Sequence, residues 1–166
     1  MLRINELTIG DWLQHSVNDP RHEGQHVSIP VQVRGIFVDK AGQENVIYYD
    51  PIDGIEISSP LIHFAPLPIS FEMMKGCRAQ LVEVGDNGPA TQPKYRNRFE
   101  KWLVKTVWAD CVVWYDRTTT KWTVEGANQV YLDYVHQMQH ILRLKNIPWA
   151  IDPQSVFAPW IKERAL

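Results

Sequence analysis

Cysteine is scarce in this chain, and neither sign of charge is in excess. The 166 residues include two cysteines, Cys77 and Cys111, which are far apart and form no CxxC pair. The sequence therefore indicates neither a disulfide framework nor a cysteine zinc site, and both thiols are expected to be small buried groups. With 17 basic and 19 acidic residues, the chain has no global field that would attract nucleic acid or an anionic membrane.

Long apolar runs are also lacking. No stretch approaches the roughly 18 apolar residues of a membrane span, and the opening MLRINELTIGDW lacks the basic start and apolar core of a secretory signal. We therefore expect a cytoplasmic protein with no membrane contact. The chain contains no GxSxG motif, no glycine-rich phosphate loop and no base beside either cysteine. We predict that it is not an enzyme and that it needs no small-molecule cofactor.

The sequence does contain a series of short strand patterns near its start. Apolar segments alternate with polar breaks between residues 7 and 68. The alternation that begins at Ile29 slips by one residue at Gly35, and a glycine at such a slip indicates a bulge or a sharp bend. Five short strands around one bent member predict an SH3-like small β-barrel as the first lobe, residues 1–68.

A second, tryptophan-rich lobe is predicted over residues 69–146. Ser70 is a suitable N-cap for a short helix that stops at Gly76. The sequence predicts a strand over residues 79–84 and an antiparallel β-meander over residues 99–124, and a long C-terminal helix is predicted over residues 129–145. The predicted fold class is thus α+β: an SH3-like barrel, a short helix, a β-meander and a long helix.

The tail, residues 147–166, carries large apolar side chains that are candidates for contact with a partner: Trp149, Phe157 and Trp160. Burying each of them is worth roughly 1.5 to 3 kcal/mol, so they are expected to pack on something. The body of the protein and a partner protein or second subunit are the two alternatives.

The segment PKYRNRFEKWLVK, residues 93–105, places aromatic residues among five basic residues and one acidic residue. Cations follow a phosphate backbone and aromatic faces stack on bases, so this composition is typical of surfaces that bind single-stranded nucleic acid. The candidate binding residues are Lys94, Tyr95, Arg96, Arg98 and Lys101. In the simpler interpretation, the aromatic side chains belong to the core and the charges to a solvated loop.

Two groups of histidines are candidates for metal binding. The first group, His15, His22 and His26, lies in a polar loop predicted after the first strand. The second group is His136 and His140, which are four residues apart in the predicted long helix. The loop imposes no readable geometry, and the helix pair would need a third ligand from elsewhere. Gln137 stands where a zinc-protease helix needs a glutamate base. We therefore predict no metal site, and we expect the helix pair to lie off the buried face.

Three motifs resemble a family of small uncharacterised proteins of gut bacteria and their prophages. They are LRINELTIGDW, FAPLPISFEMMKGC and YVHQMQHILRL, which are similar to an IGDWV-like N-terminal strand, an EPIPLTEEILLKCGF-like connector and a KYVHQLQNLYFALTG-like helix. The resemblance spans most of residues 2–146, and it implies a compact α+β body of phage or mobile-element origin. It assigns no functional residues. The chain departs from the family pattern by continuing beyond Pro148.

These observations favour a non-catalytic interaction or assembly protein derived from a phage or mobile element. Its expected partner is another protein or a second copy of the chain. The alternative function is binding of single-stranded nucleic acid through residues 94–105, which predicts affinity that falls steeply with added salt.

Overall fold

The computed structural model describes seven segments of the chain, and predictions that fall on other residues lie outside them: 2–18, 26–50, 54–76, 79–85, 98–105, 110–127 and 130–147. These residues form two compact units that divide between Leu67 and Pro68. Each unit contains one antiparallel sheet. Strand accounts for 54% of the structure and helix for 19%, so the predicted α+β class is wrong and the protein is mostly β.

The first unit is built on a five-stranded antiparallel sheet. Its elements in chain order are a 3-10 turn at Ile4–Glu6, β1 (Trp12–Asn18), β2 (His26–Val38), β3 (Glu44–Asp50), β4 (Ile55–Pro60), a 3-10 turn at Leu61–His63 and β5 (Phe64–Pro66). The strands lie in the order β4-β3-β2-β1-β5. Side chains from alternate strand positions form its core, including Leu13, Ile29, Val31, Val33, Val46 and Tyr48.

The glycine bend predicted in β2 is confirmed. The register with β3 shifts between Val33, which pairs with Tyr48, and Gly35, which pairs with Ile47. A Cβ atom at Gly35 would lie 3.1 Å from Ile47 Cδ1. The glycine therefore permits a close approach of the two strands at the point where the sheet bends.

The closed SH3-like barrel predicted for residues 1–68 is wrong. β4 and β5 are the two edges of the sheet, and no backbone pairing joins them within the described segments. The sheet is curved, because His15 on β1 reaches across to Ser59 on β4, with Nε2 and Oγ 3.3 Å apart. The number of strands and the bend can be read from local patterns. Closure depends on whether the edge strands β4 and β5 pair with each other, and the strand patterns that locate them do not record that pairing.

The second unit holds a four-stranded antiparallel sheet and two helices. Its elements are α1 (Phe71–Gly76), β6 (Ala79–Gly85), β7 (Phe99–Lys105), β8 (Asp110–Asp116), β9 (Lys121–Val124) and α2 (Val135–Leu144). The strands follow chain order, β6-β7-β8-β9, so the predicted meander is confirmed. The backbone N–H of Met73 donates to Ser70 Oγ at 3.1 Å, which confirms the predicted N-cap of α1.

Aromatic side chains form the centre of the second unit's core. Phe71 of α1 meets Trp102, Tyr115 and Trp122 of three strands, with ring centroids 4.8 to 5.8 Å away. Offset and edge-to-face contacts at such distances contribute beyond the area that they bury. The short helix is therefore held to the sheet by its first residue.

The long C-terminal helix predicted over residues 129–145 is also wrong, because α2 begins only at Val135. Leu132 donates its N–H to the carbonyl of Trp122 at 2.8 Å and accepts from the N–H of Trp122 at 3.3 Å. Tyr134 forms a second β-bridge, with Pro68. These pairings hold the backbone extended where the sequence predicts helix, and Tyr131 is 56% exposed.

Candidate interaction site

β6 lies at one edge of the second unit's sheet and is open to solvent. Its inner side pairs with β7, and no strand among the described residues pairs with its outer side. Leu81, Val82 and Val84 are 47%, 56% and 38% exposed. We call the outer side of Ala79–Gly85 the β6 edge. Within the described part of the chain, it presents backbone groups without a strand partner, together with exposed apolar side chains.

A bulge interrupts the β6 edge at its centre. Leu81 pairs with Trp102, whereas Glu83 pairs with Lys101, the next residue back along β7. Val82 is therefore an extra residue that opposes nothing on β7. The two-residue alternation breaks at this point, which explains why apolar side chains are exposed at both Leu81 and Val82.

The opposite edge of the same sheet is covered by the chain itself. Trp122 of β9 exchanges two backbone hydrogen bonds with Leu132, and both side chains are buried, at 3% and 2% exposed. The Lys121 ammonium also pairs with the Asp133 carboxylate. The β9 edge is thus closed by residues 132 and 133, whereas the β6 edge has no equivalent cover from the described residues.

The basic-aromatic segment is only partly described, since Lys94, Tyr95 and Arg96 lie outside the described residues. Arg98 is engaged within the unit: its Nε and Nη2 donate to the two carboxylate oxygens of Asp116 at 2.9 and 2.6 Å. The Lys101 ammonium lies 5.5 Å from the ring centroid of Trp114. Both cations therefore have partners within the second unit.

Asp116 is the most strongly perturbed carboxylate in the described part of the second unit. The hydrogen bond from Arg98 lowers its pKa from 3.8 to about 2, against the opposing effect of burial, and the backbone N–H of Thr118 assists. A bidentate contact to a buried carboxylate is a stabilising pair with defined geometry. Arg98 thus has a structural role that its sequence context does not indicate.

Trp102, a described aromatic residue of this segment, faces inward rather than toward a ligand. Trp102 is 4% exposed, and its indole N–H donates to Glu100 Oε2 at 3.1 Å. Glu100 in turn accepts from Arg117 Nε at 2.8 Å. Because the stacking face of Trp102 packs against Phe71 and Trp122, it is not open to a nucleic-acid base.

The histidines occupy positions different from those predicted. His15 belongs to β1 and is 6% exposed, rather than lying in a polar loop. His26 begins β2 and is exposed, and His22 lies outside the described residues. The described segments contain no group of three side chains that could hold a metal ion.

The helix histidines also differ from expectation. His136 is buried, at 5% exposed, and its ring stacks on Tyr134 at 5.9 Å with an interplanar angle of 9°. His140 contacts His136 edge to face and is half-buried. The expectation that both lie off the buried face is wrong for His136. The buried arc of α2 is wider than its apolar stripe, and it includes Gln139.

The tail candidates Trp149, Phe157 and Trp160 lie outside the described residues. No helix among the described residues is long and apolar enough to cross a membrane. Comparison with family models, curated proteins and solved structures found no match to this chain.

The β6 edge is the feature that sequence reasoning did not single out. Residues 79–84 were correctly predicted to form a strand, but nothing in that pattern says which strand of the sheet is terminal. One signal was present: Leu81 and Val82 are adjacent apolar residues in an otherwise alternating strand. Such a pair indicates either burial on both faces or a bulge at an edge.

Proposed function

We propose that this protein is a non-catalytic interaction or assembly protein that binds an extended segment of a partner protein by strand addition at the β6 edge. The observation that carries the proposal is the exposure of Leu81, Val82 and Val84 along a terminal strand with no described neighbour. Main-chain hydrogen bonds supply affinity in this mode of recognition, and side-chain contacts supply specificity.

The side chains of the β6 edge favour an apolar partner segment. Fully burying a valine or leucine is worth roughly 1.5 to 3 kcal/mol, and these three side chains are about half exposed. A partner strand would remove much of that remaining surface from water. Glu83 is the one charged residue in the strand, which favours a partner strand that carries a basic residue opposite it.

Natural sheet edges that avoid pairing usually carry lysine, proline or an inward-pointing charge. β6 contains neither lysine nor proline, and among the described residues its protective features are the bulge at Val82 and the single charge of Glu83. The edge is therefore weakly protected. This composition supports a role in binding better than a role as an inert surface.

Binding of single-stranded nucleic acid is less well supported. Arg98 is paired with Asp116 and Trp102 is buried, so two residues of the basic-aromatic segment are used inside the unit. The phage or mobile-element origin that the resemblance implies remains a prediction, and an assembly role is compatible with it.

Site-specific photo-crosslinking tests the proposal. A photoreactive amino acid at Val82 should capture a defined partner in the native cell, whereas the same group at Val130, which is 43% exposed in the same unit, should not. In affinity purification of the tagged protein, Val82→Lys should abolish recovery of that partner and Val130→Lys should preserve it, because a lysine on the edge opposes strand pairing. Equal recovery of the partner with both lysine variants would refute a function at the β6 edge.

A further inference from the structure

Two apolar side chains of the β6 edge point to one face of the sheet. Residues that lie opposite one another on adjacent strands share a face. Leu81 pairs with Trp102, whose ring packs against Phe71 of α1. Val84 pairs with Glu100, which lies two residues before Trp102 on β7. Leu81 and Val84 therefore both point to the side of the sheet that carries Trp102, which we call the α1 face.

The polar residues of β6 point to the opposite face. Gln80 pairs with Leu103, and Glu83 pairs with Lys101. Leu103 and Lys101 flank Trp102 on β7, so their side chains leave the sheet on the other side from the α1 face. Both Gln80 and Glu83 are exposed. A strand added to the β6 edge would thus meet apolar neighbours on the α1 face and polar neighbours on the opposite face.

Glu83 is the charged residue of this edge, and the described ion pairs do not include it. Its inner neighbour is Lys101, but the Lys101 ammonium lies over the ring of Trp114, 5.5 Å from the centroid. The Glu83 carboxylate turns along its own strand, with Oε1 3.4 Å from the position of a Cβ atom at Gly85. The carboxylate is therefore available to a cation on the outer side of β6.

The bulge at Val82 fixes the spacing of the complementary residues. Four residues of β6, Leu81 to Val84, are matched by three residues of β7, because Val82 opposes nothing. A regular strand alternates its faces, so its neighbours of Leu81 and Val84 both reach the α1 face only when they are an even number of positions apart. The partner segment must therefore also match these four residues with three, and its middle residue lies beside Glu83.

A second copy of β6 does not supply the complementary residue. The strand has the sequence AQLVEVG, which contains no basic residue, so no register of two such strands places a cation beside Glu83. An antiparallel pair centred on Glu83 would set two carboxylates opposite each other, which destabilises the pairing. The single charge of the strand thus opposes self-pairing and selects a cationic segment.

We propose that the partner segment bound at the β6 edge contains an apolar–basic–apolar tripeptide, with its basic side chain beside Glu83 and its apolar side chains beside Leu81 and Val84. This inference rests on the proposed function, because it names the sequence class of the segment that adds to β6. The apolar positions cover side chains that are 47% and 38% exposed, and the basic position forms an opposite-charge cross-strand pair. These contacts occur together in one register, so they also fix the alignment of the segment.

Binding of two synthetic peptides to the full-length protein tests the proposal. The peptides have the same threonine-rich flanks and differ only in their centres, Val-Lys-Val or Val-Glu-Val, and fluorescence anisotropy measures their affinities. The Val-Lys-Val peptide should bind roughly 2- to 30-fold more tightly, because the exchange replaces an attractive cross-strand pair by a repulsive one. Equal affinities, or no binding of the Val-Lys-Val peptide, would overturn the proposal.

Removal of the charge at the edge provides the matched control. Glu83→Gln should bring the two affinities together, because its amide is neutral and similar in size. Glu56→Gln makes the same change at an exposed position on β4 of the first unit and should retain the preference for Val-Lys-Val. An undiminished preference in Glu83→Gln would overturn the assignment of the basic residue to Glu83. If Glu83→Gln fails to fold, the comparison of the two peptides on the natural protein still decides the matter.

Failure of this inference is distinguishable from failure of the proposed function. Mass spectrometry of a partner crosslinked at Val82 identifies the segment that binds. A captured segment without the apolar–basic–apolar pattern would refute this inference and leave strand addition standing, whereas no capture at Val82 would refute the proposed function itself. A dimer that Val82→Lys dissociates, measured by analytical ultracentrifugation, would identify the occupant as a second copy and also overturn the inference.

Discussion

The two edge strands of the second unit's sheet differ in whether their outer backbone groups are hydrogen-bonded by the described residues. The outer side of β9 exchanges backbone hydrogen bonds with Leu132 and is buried by it. The outer side of β6 has no described partner, and Gln80 to Val84 are all exposed. A sheet of four strands has two sets of unpaired backbone groups to satisfy. The described residues satisfy one set and leave the other set available.

The two edge strands differ in burial rather than in the types of residue that they contain. β9 has the sequence KWTV, with three of its four residues buried, whereas β6 has one buried residue, Ala79, in seven. Both strands are rich in apolar or β-branched residues, so composition alone does not distinguish them. The difference lies in what packs against each strand.

The largest expected effect comes from opening the covered edge. Leu132→Ala removes a side chain that is 2% exposed and leaves a cavity beside Trp122, so it should destabilise the second unit by about 2 to 5 kcal/mol. Urea unfolding followed by tryptophan fluorescence measures this. The matched control is Leu81→Ala at the β6 edge, which should change stability by no more than about 0.5 kcal/mol. Equal effects would show that the β6 edge is covered as well.

A smaller effect is expected at the ion pair that joins β7 to β8. The pKa of Asp116 falls from 3.8 to about 2, which corresponds to about 2 kcal/mol of stability at neutral pH. Arg98→Ala should remove most of this contribution, because the hydrogen bond from Arg98 is its largest cause. Because the folded pKa is the lower one, the contribution is complete above pH 3.8 and is lost as pH falls toward 2. The difference between the natural protein and the variant should therefore shrink across that interval.

Arg117→Ala is the control for Arg98→Ala. Arg117 pairs with Glu100, but its side chain is 44% exposed, compared with 21% for Arg98. An exposed ion pair contributes about 0 to 1 kcal/mol, so Arg117→Ala should be the milder variant. A stability difference for Arg98→Ala that is unchanged between pH 7 and pH 2 would contradict the assignment of the low pKa to Arg98.

The smallest effect is expected at the helix that leads into β6. Ser70→Ala removes the acceptor for the Met73 N–H and should destabilise α1 by about 1 kcal/mol. Amide hydrogen exchange at Met73 and Met74 measures the local loss. Ser58→Ala, an exposed serine on β4, is the control and should change global stability by less than about 0.5 kcal/mol. Unchanged exchange at Met73 in Ser70→Ala would show that the cap does not stabilise the helix.

Much of the strand content was predictable because it rests on local chemistry. The phase slip at Gly35 correctly predicted a bulge, and Ser70 correctly predicted the N-cap of a helix. The predictions that failed concern how separate segments of the backbone pair with one another. The apolar spacing around Tyr131 favours helix, but two hydrogen bonds between Leu132 and Trp122 hold that backbone in a bridge. Tertiary pairing overrode local helical preference at this point.

The candidate sites were the least predictable part. By composition Arg98 belongs to a basic segment, yet it forms an ion pair with Asp116, which lies eighteen residues later in the chain. His15, Ser59 and His63 lie in different elements, and the pairing of β1 with β5, which sets His15 opposite Phe64, places His15 next to His63. The β6 edge exists as a site because of strand order.

The sequence by itself determined where most strands run, where β2 bends and where α1 starts, because alternation, glycine and capping chemistry act within a few residues. Only the tertiary structure decided which strands are edges, which charges are paired and which histidine is buried. Those outcomes depend on contacts between separate elements of the fold. Such contacts cannot be read from the local sequence pattern of either partner.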